Sequence, residues 1–234
     1  MKAVILQSNY IPWKGYFDLI NMAGVFIFYD DGQYTKNDWR NRNKIKTHHG
    51  VLLLTIPLHH GNSKQKISEK IVYSNSWRKK HWKSICIAYS KSKYFKQYKD
   101  IFEDLYLNSS EINLSKINYA FIKTINKILG ITTPLQFSSN FQLIKGKSER
   151  IINLCKQVGA NEYISGSAGK NYIKEDLFRE AGLSVTWMDY SSYPEYTQQP
   201  LPFEHQVSIL DLIFNEGPES NTFLKTFNTS VVSS

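Results

Sequence analysis

Two neighbouring carboxylates, Asp30 and Asp31, follow a short apolar run and could do chemistry together. Carboxylates in such a place can bind a metal ion, act as a general base or hold a sugar hydroxyl. Further along, the Arg42 guanidinium can grip a phosphate or a carboxylate with two hydrogen bonds, beside the amide of Asn41. We predict these four as catalytic residues, with Tyr34 binding substrate. The alternative is a plain turn, because Asp-Asp-Gly is also ordinary turn chemistry.

A polar and aromatic segment, QSNYIPWKGYF, lies only a few residues from the start of the sequence. It follows the first apolar run and precedes the first helical pattern, so it is expected to be a loop at the end of a strand. Pro12 and Gly15 would shape the turn. We expect Gln7, Tyr10 and Tyr16 to line a substrate pocket.

A third candidate is the small-residue segment Ser165-Gly166-Ser167-Ala168-Gly169, which follows another apolar run. Small residues after a strand can bring backbone N–H groups close to an anion, so we predict that Ser165, Gly166 and Gly169 bind substrate. The spacing matches neither a Walker A motif nor G-x-G-x-x-G. A plain glycine-rich turn is the alternative.

Metal and thiol chemistry have little support. None of the six histidines has metal-ligand spacing with an acidic partner, and no G-x-S-x-G is present. Cys86 and Cys155 fall in apolar helical patterns, which is typical of small buried hydrophobic residues. We expect no metal site, no resident cofactor and no disulfide framework.

These residues must be positioned by the elements around them. Residues 2–7, 15–23 and 25–29 predict a strand, a helix and a strand, which form a βαβ unit with parallel strands. Ligands of parallel sheets lie beyond the carboxyl ends of the strands. Those ends carry residues 7–10 and 30–34, so the site is expected there.

The rest of the chain also consists of predicted strands and helices. Further strands are predicted at 51–57 (with a hairpin arm at 44–50), 67–73, 136–138, 162–165 and 183–188. Helices are predicted at 77–88, 94–107, 114–129, 148–158, 174–180 and 208–214. This order predicts an α/β fold with a mainly parallel, Rossmann-like sheet and a mostly helical insertion at about 75–130. We expect one domain over 1–234, with a flexible tail at 226–234.

The charge is unevenly distributed. Residues 36–99 hold sixteen Lys and Arg against two acidic residues, a balance of +14, whereas the rest of the chain has −5, for a total of +9. A basic stretch of this size suits polyanions such as phosphorylated substrates, RNA or an acidic membrane surface; a solvated lysine-rich face is the alternative. Interleaved aromatic residues could stack on bases, or could be core residues at helical spacing. No long apolar run or signal peptide is present, which favours the cytoplasm.

Several segments together resemble the WbqC-like family. They are LQSNYIPWKGYFDLI, FIFYDDGQYTKNDWRNRNKI, TIPL, YISGSAGKNYI and VSILDLIFNEGPES, and they span about residues 2–225. The family occurs in bacterial surface-polysaccharide (O-antigen) gene clusters. The resemblance implies transfer of an acyl or amino-acid group to the amine of a nucleotide-activated amino sugar. The chain departs from the pattern at Ser8, at Tyr193-Pro194 and at His205, and the last two departures argue against a catalytic histidine.

Under this hypothesis the carboxylates act as base or orient the amine, Asn41 and Arg42 hold phosphate or carbonyl oxygen, and the 166–169 loop holds the nucleotide. If the donor is an aminoacyl-tRNA, the basic residues 36–99 would bind its phosphates. A fainter likeness to class I aminoacyl-tRNA synthetases and pantothenate synthetase raises a second hypothesis, an ATP-dependent ligase or nucleotidyltransferase, although Tyr16 stands where those folds have a histidine. A third is a non-catalytic binding module of a glycan-assembly complex. The sequence leaves oligomeric state open.

Overall fold

Five parallel strands form the main sheet of the computed structural model, which describes residues 1–62 and 64–227. In chain order the strands of the molecule are β1 (Lys2–Leu6), β2 (Val25–Phe28), β3 (Arg42–Thr47), β4 (Gly50–Thr55), β5 (Leu135–Phe137), β6 (Glu162–Ser165) and β7 (Ser184–Trp187). The helices are α1 (Lys14–Met22), α2 (Ser76–Tyr89), α3 (Phe95–Leu107), α4 (Leu114–Leu129), α5 (Lys147–Gln157), α6 (Glu175–Glu180) and α7 (Ile209–Glu216).

The sheet has the order β5-β2-β1-β6-β7, with every neighbouring pair parallel. The connections run outward from β1 on one side and from β6 on the other, so strand order reverses between these two strands. This is the Rossmann arrangement, in which ligands bind at the carboxyl edge near the reversal. The predicted α/β fold with a Rossmann-like parallel sheet is therefore confirmed.

Apolar residues cover both faces of the sheet because the central strands are buried on both sides. β2 reads VFIF and all four of its residues are buried, as is typical of parallel strands. Alternation sends Val4 and Phe26 into one core with α1, α2, α3, α4 and α7. It sends Ala3 and Ile27 into a second core with α5 and α6.

The predicted helical insertion is also confirmed, as α2, α3 and α4 follow one another within it. Their inward faces carry the aromatic residues that the sequence interleaves with lysines. Trp77, Trp82, Tyr89, Phe95 and Tyr98 are all buried in the larger core, so the helical-spacing interpretation describes them correctly. α4 ends at Gly130, whose φ of 75° is the left-handed conformation that glycine adopts most easily.

One predicted strand forms outside the main sheet, and another does not form. Residues 51–57 contribute β4, which pairs with β3, the predicted hairpin arm, in an antiparallel hairpin outside the main sheet. The two strands are joined by a tight turn, which suits antiparallel pairing. Residues 67–73 form no strand. Ile67–Glu69 is a 3-10 turn, because its backbone N–H groups at Ile67 and Ser68 bond to the carbonyls of Gly32 and Asp30.

The end of the chain bears on the predicted flexible tail at 226–234. Thr226 donates to the Asp18 carboxylate through its backbone N–H, at 2.9 Å, and through its hydroxyl, at 2.6 Å. Residues 228–234 lie outside the described residues. Within the described residues, no helix has the length and apolar character needed to cross a membrane.

Candidate functional site

Three of the loops at the carboxyl edge of the sheet, those after β1, β6 and β7, form one connected region. The loop after β1 is held by side chains that come from further along the chain. Arg40 donates to the carbonyl of Gln7, at 3.3 Å, and to the side-chain oxygen of Asn9. The amide of Asn43 donates to the carbonyls of Tyr10 and Ile11, at 3.0 and 2.9 Å. These bonds support Ile11 at a φ of 37°, which is strained for a β-branched residue.

Gly15 leaves room for the side chain of Trp13, which folds back over it. A Cβ at Gly15 would lie 2.4 Å from the indole of Trp13, so a larger residue would displace that ring. The Trp13 ring instead packs against Tyr190 and Tyr193 of the loop after β7, with ring centroids 5.3 and 5.6 Å apart. Contact between the first and last loops of the edge therefore depends on a glycine at the start of α1.

A cavity of about 560 Å³ lies between these loops, and we call it the aromatic cleft. Four aromatic rings, three amides, a histidine, a serine and a proline line it: Trp13, Trp39, Tyr190, Tyr193, Asn9, Asn43, Gln206, His205, Ser192 and Pro12. Apolar walls with a few polar groups are typical of small-molecule sites. Flat rings beside amides can stack on a nucleobase and hydrogen-bond its edge or a sugar.

The loop after β7, residues 188–208, is anchored on α1. The hydroxyl of Tyr193 donates to the buried Asp18 carboxylate at 2.5 Å. The Lys14 ammonium donates to the carbonyl of Pro194 at 2.9 Å and lies 5.1 to 5.6 Å from the ring centres of Tyr193, Tyr196 and Phe203. Burial lowers the pKa of Lys14 to about 8, although nearby carboxylates oppose that shift. These contacts fix one wall of the aromatic cleft.

His205 is the histidine among the residues that line the aromatic cleft. Its Nε2 lies 3.9 Å from Oε1 of Glu195. Burial and then the Lys14 ammonium lower the pKa of the imidazole, so the neutral ring, which can accept a proton, dominates at neutral pH. Among the described residues, no group of three or more His, Cys, Asp or Glu is arranged to hold a metal ion.

The two predicted carboxylates lie behind the cleft rather than on its wall. Asp30 is 2% exposed, and it accepts hydrogen bonds from the Ser8 backbone N–H, at 2.8 Å, and from the Ser115 hydroxyl. Burial raises the pKa of Asp30, which its hydrogen bonds and Arg40 partly offset. Asp31 accepts from Lys66 Nζ at 2.9 Å and from the Ser138 hydroxyl at 2.8 Å.

The residues predicted in the first loop face inward. Tyr10 is 0% exposed, and its hydroxyl lies 2.9 Å from Nδ1 of His81 and 2.6 Å from the hydroxyl of Tyr106. Tyr16 is buried and donates to the carbonyl of Gln7 at 3.0 Å. The Gln7 side chain packs on Gly32, where a Cβ would lie 2.7 Å from its amide nitrogen.

Tyr34, Asn41 and Arg42 lie together, but at a second cleft. The Tyr34 hydroxyl donates to Asn41 Oδ1 at 2.9 Å, and Arg42 donates to Asn37 Oδ1 at 2.8 Å. Successive residues of a strand point to opposite faces, so Arg42 and Asn43 on β3 face the two different clefts.

The small-residue segment after β6 forms a 3-10 turn over Ser167–Asn171. Ser165 is buried beneath it, with its hydroxyl 3.3 Å from that of Tyr163. Gly169 packs against Ser165 and Trp187, and Gly166 lies under the Tyr190 hydroxyl. Gly166 therefore lies against a wall of the aromatic cleft at Tyr190, and the backbone of Tyr10 bonds to the lining residues Trp39 and Asn43.

Sequence reasoning missed most of the residues that line the aromatic cleft. No role was predicted for Trp13 or Trp39, and in the loop after β7 only the departures at Tyr193-Pro194 and His205 were noted. One signal could have identified that loop. Residues 187–203 carry five aromatic side chains and three prolines without strand or helix periodicity, which is typical of an ordered, packed loop.

Comparison with known proteins finds a family whose pattern the chain matches and a similar protein. The WbqC-like protein family matches residues 7–223. A protein of Mycobacterium tuberculosis (strain ATCC 25618 / H37Rv), the uncharacterized protein Rv1507c, is 45% identical over 225 residues, which cover 96% of this chain and 97% of that protein. No solved structure matches the chain.

Proposed function

The chain belongs to the WbqC-like protein family, and on that premise we propose that it is a transferase that acylates the amine of a nucleotide-activated amino sugar. The product would serve bacterial surface-polysaccharide assembly, and the reaction would take place in the cytoplasm. The observation that carries the proposal is the aromatic cleft at the carboxyl edge of a Rossmann-ordered sheet.

The walls of the cleft suit both halves of such a substrate. Trp39 is 43% exposed at the cleft, with the Lys44 ammonium 5.8 Å from its ring centre, and an exposed indole can stack on a base. Asn9 and Gln206 offer amides that can bond to base edges or sugar hydroxyls, whereas the Asn43 amide already donates to Tyr10 and Ile11. A volume of about 560 Å³ falls in the range of small-molecule sites.

In the proposed reaction the sugar amine attacks the carbonyl carbon of an activated acyl group. The new bond joins nitrogen to carbon, and the bond from that carbon to its carrier breaks, with the electron pair leaving on the carrier. The amine must lose a proton. The departures from the family pattern argue against a catalytic histidine, but the neutral His205 imidazole lines the cleft, and we propose that it accepts this proton. Glu195, 3.9 Å from Nε2, would stabilise the imidazolium that forms.

For the acyl carrier we propose an aminoacyl-tRNA. α2, the connection that follows it and the start of α3 present exposed lysines, and these lie in the strongly basic stretch of the sequence: Lys79, Lys80, Lys83, Lys91, Lys93 and Lys96. Lysines of this kind can bind RNA phosphates without reading sequence. The aromatic residues of these helices are buried, so binding would rest on the charges rather than on stacking.

Mass spectrometry tests the reaction directly. The protein is incubated with uridine-, thymidine- and guanosine-diphosphate amino sugars, each with and without a mixture of charged tRNAs. We expect one nucleotide sugar to gain the mass of an amino-acyl residue only when charged tRNA is present. His205→Gln should abolish the gain in mass while leaving the affinity for the nucleotide sugar within about twofold of the original value.

A binding measurement separates the cleft from the chemistry. Trp39→Ala should weaken binding of the preferred nucleotide sugar about tenfold in calorimetry, because loss of one base–aromatic stack costs roughly 1–3 kcal/mol. Tyr73→Ala is the matched control, since Tyr73 is also an exposed aromatic residue but lies outside the cleft. Equal affinities for the two variants would contradict the assignment of the cleft.

A further inference from the structure

A second cleft, which we call the cationic cleft, lies on the opposite side of β3 from the aromatic cleft. It has a volume of about 630 Å³ and is bounded by residues 33–37, by β3 and by the segment after β4. Its basic lining residues are Lys36, Arg42, His59, His60 and Lys70. Among the described residues, no Asp or Glu lines it.

Lys70 is the most informative of these residues. It is 5% exposed, so more than nine-tenths of it is buried, and it nevertheless lines the cleft. Its Nζ lies 4.9 Å from the centre of the Tyr34 ring, and no carboxylate or other hydrogen-bond acceptor among the described residues contacts it. Burial lowers the pKa of this ammonium, and the nearby Lys36 lowers it further. The side chain as a whole is therefore buried, while its ammonium faces a cleft in which no carboxylate pairs with it, which is unfavourable to the folded state.

Arg42 adds a second donor group at the same wall. One terminal nitrogen donates to Asn37, at 2.8 Å, whereas Nε is buried and has no hydrogen-bond partner among the described residues. The guanidinium thus retains unused donors beside the cleft, in the geometry that binds an oxyanion with two prongs. The Tyr34 side chain interacts with both cations. The charge of Arg42 acts on its hydroxyl, and Nζ of Lys70 lies over the face of its ring.

We propose that the cationic cleft is a binding site for a small ligand that carries a diphosphate group. A single carboxylate would neutralise one of the cations, whereas the lining offers three fixed positive charges, at Lys36, Arg42 and Lys70, and two histidines. A diphosphate carries enough charge and enough acceptor oxygens to engage all three. The site does not depend on the acyl-transfer reaction, because the aromatic cleft lies across β3 from it.

Inorganic pyrophosphate is the probe that tests this site. In calorimetry at constant ionic strength, wild-type protein should bind it saturably, and Lys70→Met should weaken binding at least tenfold. Uridine diphosphate, tested in parallel, separates recognition of the phosphates alone from recognition of a nucleotide. Without ligand, Lys70→Met should melt at the same temperature as wild type or higher, because the variant no longer buries an unpaired charge.

Matched variants control for general electrostatics and for folding. Lys80→Gln removes the same charge from an exposed position outside the cleft and should leave the affinity unchanged. Arg42→Gln gives a second loss variant in case Lys70→Met fails to fold. Trp39→Ala, which tests the aromatic cleft, should bind pyrophosphate as wild type does. The proposal is overturned if pyrophosphate does not saturate, or if Lys80→Gln weakens binding as much as Arg42→Gln does.

Discussion

At the scale of single residues, buried polar side chains determine the shape of both clefts. Asp18 is an example: it is 0% exposed and accepts hydrogen bonds from Tyr193, from the backbone of Lys225 and from Thr226. Two distant segments therefore meet on one carboxylate of α1. Residue type could not reveal this role, because the pattern of α1 indicates only which face is apolar.

His81 provides a prediction about pH at the residue scale. It is buried beside Tyr10 and Arg78, and burial lowers the pKa of its imidazole from 6.5 to about 4. The unfolded chain therefore binds a proton first as pH falls, so the contribution of the neutral ring is complete above pH ~6.5 and is lost toward pH ~4. Urea denaturation should show wild type losing roughly 2 kcal/mol more than His81→Gln between pH ~7 and pH ~4.5.

The comparison between the two proteins is necessary because other groups titrate in the same range. Burial raises the pKa of Asp30 and of Asp211, and that stabilises the folded state as pH falls, which is the opposite sign. Both carboxylates are present in wild type and in His81→Gln, so their contributions cancel in the difference. Parallel pH profiles for the two proteins would contradict a buried neutral histidine.

At the scale of elements, the turn after β6 supports the loop after β7. Gly166 has a φ of −69°, which alanine adopts without strain, but a Cβ there would lie 2.8 Å from the Tyr190 hydroxyl. Gly166→Ala should therefore leave the free energy of unfolding within about 1 kcal/mol of wild type, while it displaces Tyr190 from the cleft wall. We expect a several-fold loss of affinity for the nucleotide amino sugar in calorimetry.

A double variant tests whether that loss acts through Tyr190. Tyr190→Phe removes the oxygen that the new methyl group would meet, so the Gly166→Ala, Tyr190→Phe protein should bind more tightly than Gly166→Ala alone. If the two alterations simply add, the turn does not position the ring and the element-scale argument fails.

At the scale of the whole molecule, the basic stretch is less exposed than the count of charges suggests. Arg78 is buried and donates to the carbonyls of Leu105 and Glu111, and Lys46 donates to the carbonyl of Pro202. Lys70 faces the cationic cleft. Much of the remaining positive charge lies on α2 and on the segment that leads into α3, which is the face we propose for tRNA.

Salt dependence measures how much that face contributes. The triple variant Lys79→Gln, Lys80→Gln, Lys83→Gln should lower the slope of log affinity for tRNA against log salt by roughly two units, since each phosphate contact contributes about 0.7–0.9. A control triple removes the same charge elsewhere on the surface and should keep most of the slope: Lys127→Gln, Lys145→Gln, Lys156→Gln. Equal slopes for both triples would indicate attraction by net charge alone.

Much of the fold could be predicted because local patterns are enough for it. Continuous apolar runs such as VFIF identified the parallel strands, and helical periodicity identified α2 to α4 with their buried aromatic residues. Residues 67–73 were predicted wrongly as a strand, since their apolar residues resemble one, while the backbone N–H groups of Ile67 and Ser68 bond to the loop after β2. Propensity could not reveal a partner so far away in sequence.

The sequence by itself determined the α/β class, the parallel edge where ligands are expected, and the family to which the chain belongs. Only the tertiary structure decided which side chains share a cleft. The contacts that build the aromatic cleft join residues 180 positions apart, Lys14 to Pro194, and 175 apart, Asp18 to Tyr193. The tertiary structure also places Arg42 and Asn43 in two different clefts, and it buries Tyr10 in the core. Periodicity reports the environment of a residue relative to its own element, whereas a site depends on how elements pack against one another.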